Sequence, residues 1–264
     1  MNSCAIVLVL LLSWPGVAKP PAVSGSPAMQ EMKASDEQKA PSAADLVARF
    51  TKYQIAVVRK GPKWTKDAPM KIQELSAKNA NSWKSMVKQG KLLGIARVVE
   101  PGEIWGLIFF KIESMDEMNS IVTNAPSVKA GLLAADIQTV WGSRGLGSGL
   151  SESQKETMHM DSTAKSYYIL AMKKGPKWSE VSDSPETRKA TSDAMTFMYG
   201  LYKDGYLRYF AALEKPGAKF RNISILSVSS AAQAMELAKE SPAVKQGWHV
   251  PSVFEVKISD GVLP

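Results

Sequence analysis

The tetrapeptide Gly61-Pro62-Lys63-Trp64 recurs letter for letter as Gly175-Pro176-Lys177-Trp178, 114 residues further along the chain. Each copy follows a short apolar run that opens with an aromatic residue, and a helical pattern comes after it. Later turn signals recur as well, since residues 126–131 match residues 242–247. A chance match of four letters would not carry its turn signals along at nearly constant spacing. The repeat therefore predicts one structural unit present twice.

The first copy predicts a strand, a helix, a hairpin, a second helix and a last strand. The first strand starts near Tyr53, and the hairpin turns at residues 100–102, which read Glu-Pro-Gly. Residues 114–117 have the form of a capping box and predict the start of the second helix. The last strand covers residues 132–141. The order of elements is therefore βαββαβ.

The helix after Trp64 is predicted to run unbroken to a glycine stop at Gly90. Its inward positions follow the spacing of three and four residues that is typical of an amphipathic helix. One of these positions is polar, and the full set is Ile72, Leu75, Asn79, Trp83 and Met86.

The second copy repeats this order from a strand near Tyr167 to a last strand over residues 250–258. We therefore predict an α+β fold of two tandem ferredoxin-like βαββαβ units. Each unit would leave one sheet face uncovered, and the other unit is its natural cover. The sequence thus predicts a pair formed within one chain, and a monomer in solution.

Composition divides the chain into five predicted segments. Residues 1–18 hold an apolar stretch too short to span a bilayer, followed by small residues, which is typical of a cleaved export signal. Residues 19–44 read as a flexible leader. The repeated domains cover 45–142 and 165–264, with a flexible linker at 143–164. We expect a secreted or periplasmic protein with no membrane attachment after cleavage, and an uncleaved anchor is the alternative.

The charge of the chain is positive but scattered. The formal net charge is +8 and the pI is about 9.4, yet no run of five Lys or Arg residues occurs. This pattern favours a solvated surface, and we expect no nucleic-acid partner. Binding to an anionic polymer or envelope surface is a further hypothesis.

Cysteine and histidine usage limits the chemistry. Cys4 is the one cysteine and precedes the apolar stretch, so the cleaved chain would have no thiol. This excludes disulfides, thiolate catalysis and cysteine-ligated metal. The two histidines are His159 and His249. We predict no metal site and no cofactor.

Several short motifs together carry a family resemblance. The first half of the chain resembles the YCII-related family of the dimeric α/β-barrel superfamily, and the second half resembles it more weakly. The resemblance supports the predicted fold more than any function, because that superfamily hosts unrelated chemistries. The segments that carry it in the first half are 61–64, 90–93, 113–117, 126–131 and 140–142.

The resemblance implies an acid/base pair, a histidine on the first helix and an aspartate before the proline that follows the second helix. Asn79 and Ala125 occupy these positions in the first half, and Ala194 and Ser241 in the second. A further family histidine corresponds to Gln138. The groups that general acid/base catalysis requires are therefore missing. Asn79 and Gln138 keep the capacity to hydrogen-bond a ligand.

Other candidate ligand-binding residues lie in the repeated loops. Trp64 and Trp178 could stack on a ligand, although an aromatic after Gly-Pro more often packs over a sheet edge. Lys63 and Lys177 could hold an anion beside these rings. His249 precedes the last strand of the second unit and has no carboxylate near it in sequence.

The leading functional prediction is an exported, non-catalytic protein with a small-molecule-binding or structural role and no catalytic residues. Its pocket is expected to be apolar, with few ionisable groups, and to hold a ligand by shape and amide hydrogen bonds. The alternative is a small-molecule enzyme of the same superfamily that uses Asn79, Gln138 or His249 in a rearranged pocket.

Overall fold

The computed structural model describes residues 49–102, 104–157, 164–178, 184–214 and 220–264. The predicted export signal and leader lie outside these residues, and so does His159. All the helices and strands of the described residues belong to the compact unit Phe50–Pro264.

Strands and helices alternate along this unit. Their order is β1 (Phe50–Lys60), α1 (Ala68–Lys78), α2 (Ala80–Lys88), β2 (Leu92–Val98), β3 (Ile104–Phe110), α3 (Met115–Asn124), α4 (Pro126–Lys129), β4 (Leu133–Ser143), α5 (Glu152–Thr157), β5 (Ala164–Lys174), α6 (Pro185–Lys203), β6 (Leu207–Leu213), β7 (Asn222–Leu226), α7 (Ala231–Glu240), α8 (Pro242–Lys245) and β8 (His249–Ser259).

The strands close into one barrel in the order β1-β3-β2-β8-β5-β7-β6-β4. Every neighbouring pair is antiparallel. The two halves of the chain meet where β2 pairs with β8 and where β4 pairs with β6. Closure gives every strand a hydrogen-bonded neighbour on both sides, over three residues at each of these two junctions. The prediction of an α+β fold is confirmed, in the form of a closed antiparallel barrel with helices.

Strand direction fixes which loops meet. Because directions alternate around the ring, β1 and β5, which are four places apart, run the same way. Their carboxyl ends therefore lie at one end of the barrel, which we call the mouth. The opposite end, where β4 and β8 finish, is the floor.

The barrel interior is filled by apolar side chains from both halves. Tyr209 of β6 is fully buried, and its ring packs edge-on against Phe109 at 5.7 Å and Tyr53 at 6.4 Å between ring centroids. Along each barrel strand, the residues between the inward-facing ones face the helices. On β5, Leu170 and Met172 do so beneath α6 and α7. This alternation is the period of two that a strand imposes.

The floor is closed by the segment after β4 and by the carboxyl-terminal residues. Gly147 N–H donates to the Val262 carbonyl at 2.8 Å, and Leu146 and Leu150 are buried. The helix α5 follows. Residues 144–157 are therefore packed against the barrel, which corrects the prediction of a flexible linker for this part of 143–164. Burial of the Leu146 and Leu150 side chains removes apolar surface from water, which holds the segment in place.

Of the sequence predictions about the helices, those for the amino-terminal caps are confirmed and the one for a single long first helix is wrong. The predicted caps are present, since Glu117 N–H donates to the Ser114 hydroxyl oxygen at 3.2 Å and Gln233 N–H to that of Ser230 at 3.1 Å. The predicted unbroken helix is wrong, because it divides at Asn79, which has φ −97° and ψ 4°. The asparagine side chain competes for nearby backbone hydrogen bonds, so asparagine is a weak helix former.

Within the described residues, no helix has the length and apolar character to cross a membrane.

Replacing Gly94 tests how the tail seats on the barrel. A Cβ added at Gly94 would collide with the side chain of Val262, which is fully buried. We expect Gly94→Ala to lower the free energy of unfolding by about 1–3 kcal/mol, the usual range for overpacking. Gly102→Ala is the control, because its Cβ would meet nothing within 4 Å. Urea denaturation of both variants measures the difference, and equal stabilities would contradict this packing.

Candidate functional site

The barrel mouth contains a cavity of about 90 Å³. The first half of the chain supplies most of its wall, and the rest comes from β6 and from Phe220, two residues before β7. The lining residues are Val57, Arg59, Ile104, Asp136, Gln138, Leu213 and Phe220.

The polar residues reach the cavity because of strand register. On β4, Asp136 lies opposite Val57 of β1, and Gln138 lies opposite Ile55. Residues directly opposite each other in an antiparallel pair share one face. Arg59 follows Val57 by two residues and shares that face as well.

Arg59 and Asp136 form an ion pair at the mouth. The Nη2 atom of Arg59 lies 2.7 Å from both carboxylate oxygens of Asp136. The two side chains are 38% and 50% exposed, so this pair contributes little to stability. Its effect is to hold the guanidinium in one orientation over the cavity.

Two buried atoms in this site have no hydrogen-bond partner. They are the Nε of Arg59, which is a donor, and the Oε1 of Gln138, which is an acceptor. A buried polar group without a partner costs about 1–3 kcal/mol. Two residues that line the cavity thus carry one unmatched donor and one unmatched acceptor, and both atoms are shielded from solvent.

A second cation stands near the mouth. Lys173 holds on β5 the place that Arg59 holds on β1, two residues before the repeated Gly-Pro-Lys-Trp loop. Its Nζ lies 5.8 Å from the ring centroid of Phe220, which lines the cavity. The residue corresponding to Asp136 is Ser252, opposite Ala171. The second half therefore adds positive charge here without adding a matching carboxylate at that position.

These observations correct the predicted pocket. Gln138, one of the predicted ligand-binding residues, lines the cavity. The prediction of an apolar pocket with few ionisable groups did not include the Arg59–Asp136 ion pair, which lines the same cavity. Sequence reasoning missed Arg59 and Asp136. The signal for Arg59 was the continuation of the inward alternation Ile55, Val57, Arg59.

The other predicted residues do not line this cavity. Asn79 is half-buried at the break between α1 and α2. The Lys63 backbone N–H donates to the Gly131 carbonyl at 2.9 Å, and Lys177 repeats this contact with Gly247 at 3.0 Å. A ligand-binding role for these residues stays a prediction.

Trp64 packs in an apolar cluster on the helix side of the first sheet. Its ring lies 4.8 Å from that of Trp105, and the Lys60 ammonium lies 5.2 Å from the Trp64 centroid. The structural interpretation of this tryptophan, as an aromatic that holds its loop on a sheet, agrees with these contacts.

Trp178 has different neighbours in the second half. Its ring stacks on His249 with a centroid distance of 5.4 Å and an angle of 16°, and Arg221 Cζ lies 5.0 Å from its centroid. Trp178 Nε1 and His249 Nε2 are buried and have no hydrogen-bond partner. Burial, with a smaller effect of the Arg221 charge, lowers the pKa of His249 to about 4. Burial also lowers the pKa of Arg221.

Comparison with known proteins gives a likeness in fold. No family model and no curated protein matches the chain. The chlorite dismutase of Candidatus Nitrospira defluvii in complex with imidazole has a TM-score of 0.49 and 10% identity, covering 80% of this chain and 91% of that chain. A heme-binding protein from Thermus thermophilus has a TM-score of 0.47 and 11% identity, covering 80% and 92%.

This comparison corrects the leading functional prediction. The solved structures found include a chlorite dismutase and a heme-binding protein, against the prediction of a non-catalytic binding or structural protein. The YCII-related identity is not shown either. At these values of sequence identity and TM-score, the likeness is one of fold alone. The chemistry of those proteins is not carried over to this chain.

Heme does not match the residues that line the mouth. Iron in heme takes His, Cys, Met or Tyr as axial ligand, and none of these lines the mouth cavity. His249 has an unpartnered nitrogen, but that atom is shielded from solvent and Trp178 covers one face of the ring. Neither the lining of the mouth cavity nor the His249 ring in the described arrangement therefore fits heme. Among them, no three His, Cys, Asp or Glu side chains are grouped to hold a metal ion.

The buried imidazole predicts acid sensitivity. The folded pKa of His249 lies near 4, below its ordinary value of 6.5, so the unfolded chain takes up the proton first as the pH falls. Stability is therefore lost as the pH drops from about 6.5 towards 4. Between pH 7.5 and pH 5 we expect the free energy of unfolding to fall by about 2 kcal/mol from this group.

Urea denaturation across that range, on the natural chain and on His249→Gln, measures this effect. The variant should lose the slope that His249 causes and keep the rest of the profile. Parallel profiles for the two proteins would contradict the burial of a neutral imidazole.

Proposed function

We propose that the chain is an enzyme that acts on a small polar molecule held in the barrel mouth. The observation that carries this proposal is the pair of unmatched buried atoms, Arg59 Nε and Gln138 Oε1, on two residues that line one cavity built by both halves. A buried donor or acceptor without a partner destabilises the empty site. A substrate that hydrogen-bonds to both atoms removes that penalty and so binds more tightly.

The two atoms define the substrate by complementarity. It must accept a hydrogen bond from Arg59 and donate one to Gln138, as a carboxylate or carbonyl beside a hydroxyl or amide N–H does. The cavity of about 90 Å³ is well below the roughly 300–1,000 Å³ of pockets for drug-sized ligands. Small hydroxy acids and small amides are therefore the favoured class.

Asp136 is the candidate catalytic residue. Arg59 holds its carboxylate at the mouth through contacts of 2.7 Å to both oxygens. A positioned carboxylate can take a proton from the O–H or N–H of a bound substrate, and such general-base steps contribute about 10²–10⁴-fold to rates. The proposal is thus proton abstraction by Asp136, with Arg59 and Gln138 binding the substrate.

We further propose that each half is a ferredoxin-like unit of the dimeric α/β-barrel superfamily. Within that superfamily, we propose that it is related to the YCII-related family. Domains at 45–142 and 165–264 and a monomeric state are part of this proposal. The strand orders β4-β1-β3-β2 and β8-β5-β7-β6 in the two halves support it. Export to the periplasm or the cell exterior is proposed from residues 1–18 alone.

Binding and turnover separate the proposed roles. A thermal-shift panel of small hydroxy acids and amides identifies the ligand, because a compound that binds only the folded state raises the melting temperature. Arg59→Leu should weaken binding at least tenfold, which is about 1.4 kcal/mol. Asp136→Asn should lower kcat by about 100-fold or more, a larger effect than the change in KM that follows from a less firmly held Arg59.

Lys165→Met is the matched control. Lys165 also forms an exposed ion pair on a strand, 2.8 Å from Asp260, but it lies at the floor. Its loss should leave binding and kcat unchanged. Equal binding by Arg59→Leu and the natural chain, or an unchanged kcat in Asp136→Asn, would contradict the proposal.

A further inference from the structure

A second set of polar groups lies outside the mouth, on the helix side of the second sheet. We call Trp178, Arg221 and His249 the Trp178 cluster. Arg221 lies over the Trp178 ring, with its Cζ 5.0 Å from the centroid, and His249 stacks at 5.4 Å. The Trp178 and His249 nitrogens, Nε1 and Nε2, have no hydrogen-bond partner and are shielded from solvent.

The first half of the chain provides an internal comparison for His249. In the pairing of first with last strand, Lys60 lies opposite Leu133, and Lys174 lies opposite His249. His249 therefore occupies the place that a buried leucine fills in the first half. The fold at this place is built with an apolar side chain, so the imidazole is not a requirement of the architecture.

The same comparison holds for Arg221. Trp105 follows Ile104, which lines the mouth at the start of β3, and Arg221 follows Phe220, which lines the mouth two residues before β7. Trp105 packs on Trp64, and both belong to an apolar cluster. In the second half a guanidinium replaces the indole. A half-buried charge beside two buried, unmatched nitrogens is an unfavourable arrangement unless something pairs with them.

We propose that the Trp178 cluster is a binding site for an oxyanion group, a carboxylate or a tetrahedral oxyanion, which the first half lacks. Arg221 and the Trp178 Nε1–H can only donate hydrogen bonds, and His249 Nε2 donates once it is protonated. An acceptor-only anion satisfies all three and balances the guanidinium charge. This site is separate from the mouth and does not depend on the function proposed there.

The shielding of both nitrogens has a consequence for binding. The anion cannot reach them in the described arrangement without displacing the atoms that cover them. Binding therefore changes the environment of the His249 ring directly. That makes the imidazole a reporter of occupancy.

The chain contains two histidines, so His159→Gln leaves His249 as the single imidazole signal. In this variant we expect sodium sulfate and sodium acetate, added at constant ionic strength against sodium chloride, to shift the His249 NMR resonances saturably. A linear shift equal to that caused by chloride would overturn the proposal. Saturation by sulfate alone identifies a tetrahedral site, and saturation by acetate alone a carboxylate site.

Substitutions that restore the first-half residues give the second test. Arg221→Trp and His249→Leu should each raise the Kd for the anion at least tenfold, measured from the anion dependence of the melting temperature. Arg221→Lys keeps the charge but loses the planar guanidinium, so its Kd for the anion should lie between those of the natural chain and Arg221→Trp. It also serves as the test if Arg221→Trp does not fold. Lys165→Met, whose ion pair with Asp260 lies at the floor, should bind the anion as the natural chain does. Unchanged affinity in Arg221→Lys and His249→Leu would overturn the proposal.

Discussion

The hydrogen bonding between the two halves, β2 with β8 and β4 with β6, is the constraint on which the rest of the structure depends. Each junction uses a short run of residues, such as Ala96–Val98 on β2 and Val140–Gly142 on β4. At the second junction Gly142 leaves room for the Tyr209 hydroxyl, because a Cβ there would collide with it. Without these junctions each half would be a four-stranded sheet with exposed edges.

Barrel closure also creates the site. It brings Leu213 and Phe220 of the second half over the face of the first half that carries Arg59, Asp136 and Gln138. The floor is packed with the segment after β4 and the carboxyl-terminal residues, so the polar groups collect at the mouth. The two halves therefore carry different side chains at corresponding backbone positions, as Asp136 opposite Val57 and Ser252 opposite Ala171 do.

Local features were predictable from sequence because they depend on neighbouring residues. The hairpins, the Ser114 and Ser230 caps and the α+β class follow from turn chemistry and periodicity. The helix break at Asn79 and the packing of residues 144–157 depend on tertiary contacts, and both predictions failed there. Asp136 was missed because its place in the cavity depends on the β1–β4 register. Unmatched buried atoms have no signature in sequence at all.

The central claim is that the barrel mouth is a ligand site held by an unmatched donor and acceptor. A crystal structure with the compound that most raises the melting temperature, at a resolution that shows ordered water, tests it most directly. We expect ligand density in the mouth within hydrogen-bonding distance of Arg59 Nε and Gln138 Oε1. Ordered waters satisfying both atoms, with the compound bound elsewhere, would contradict it.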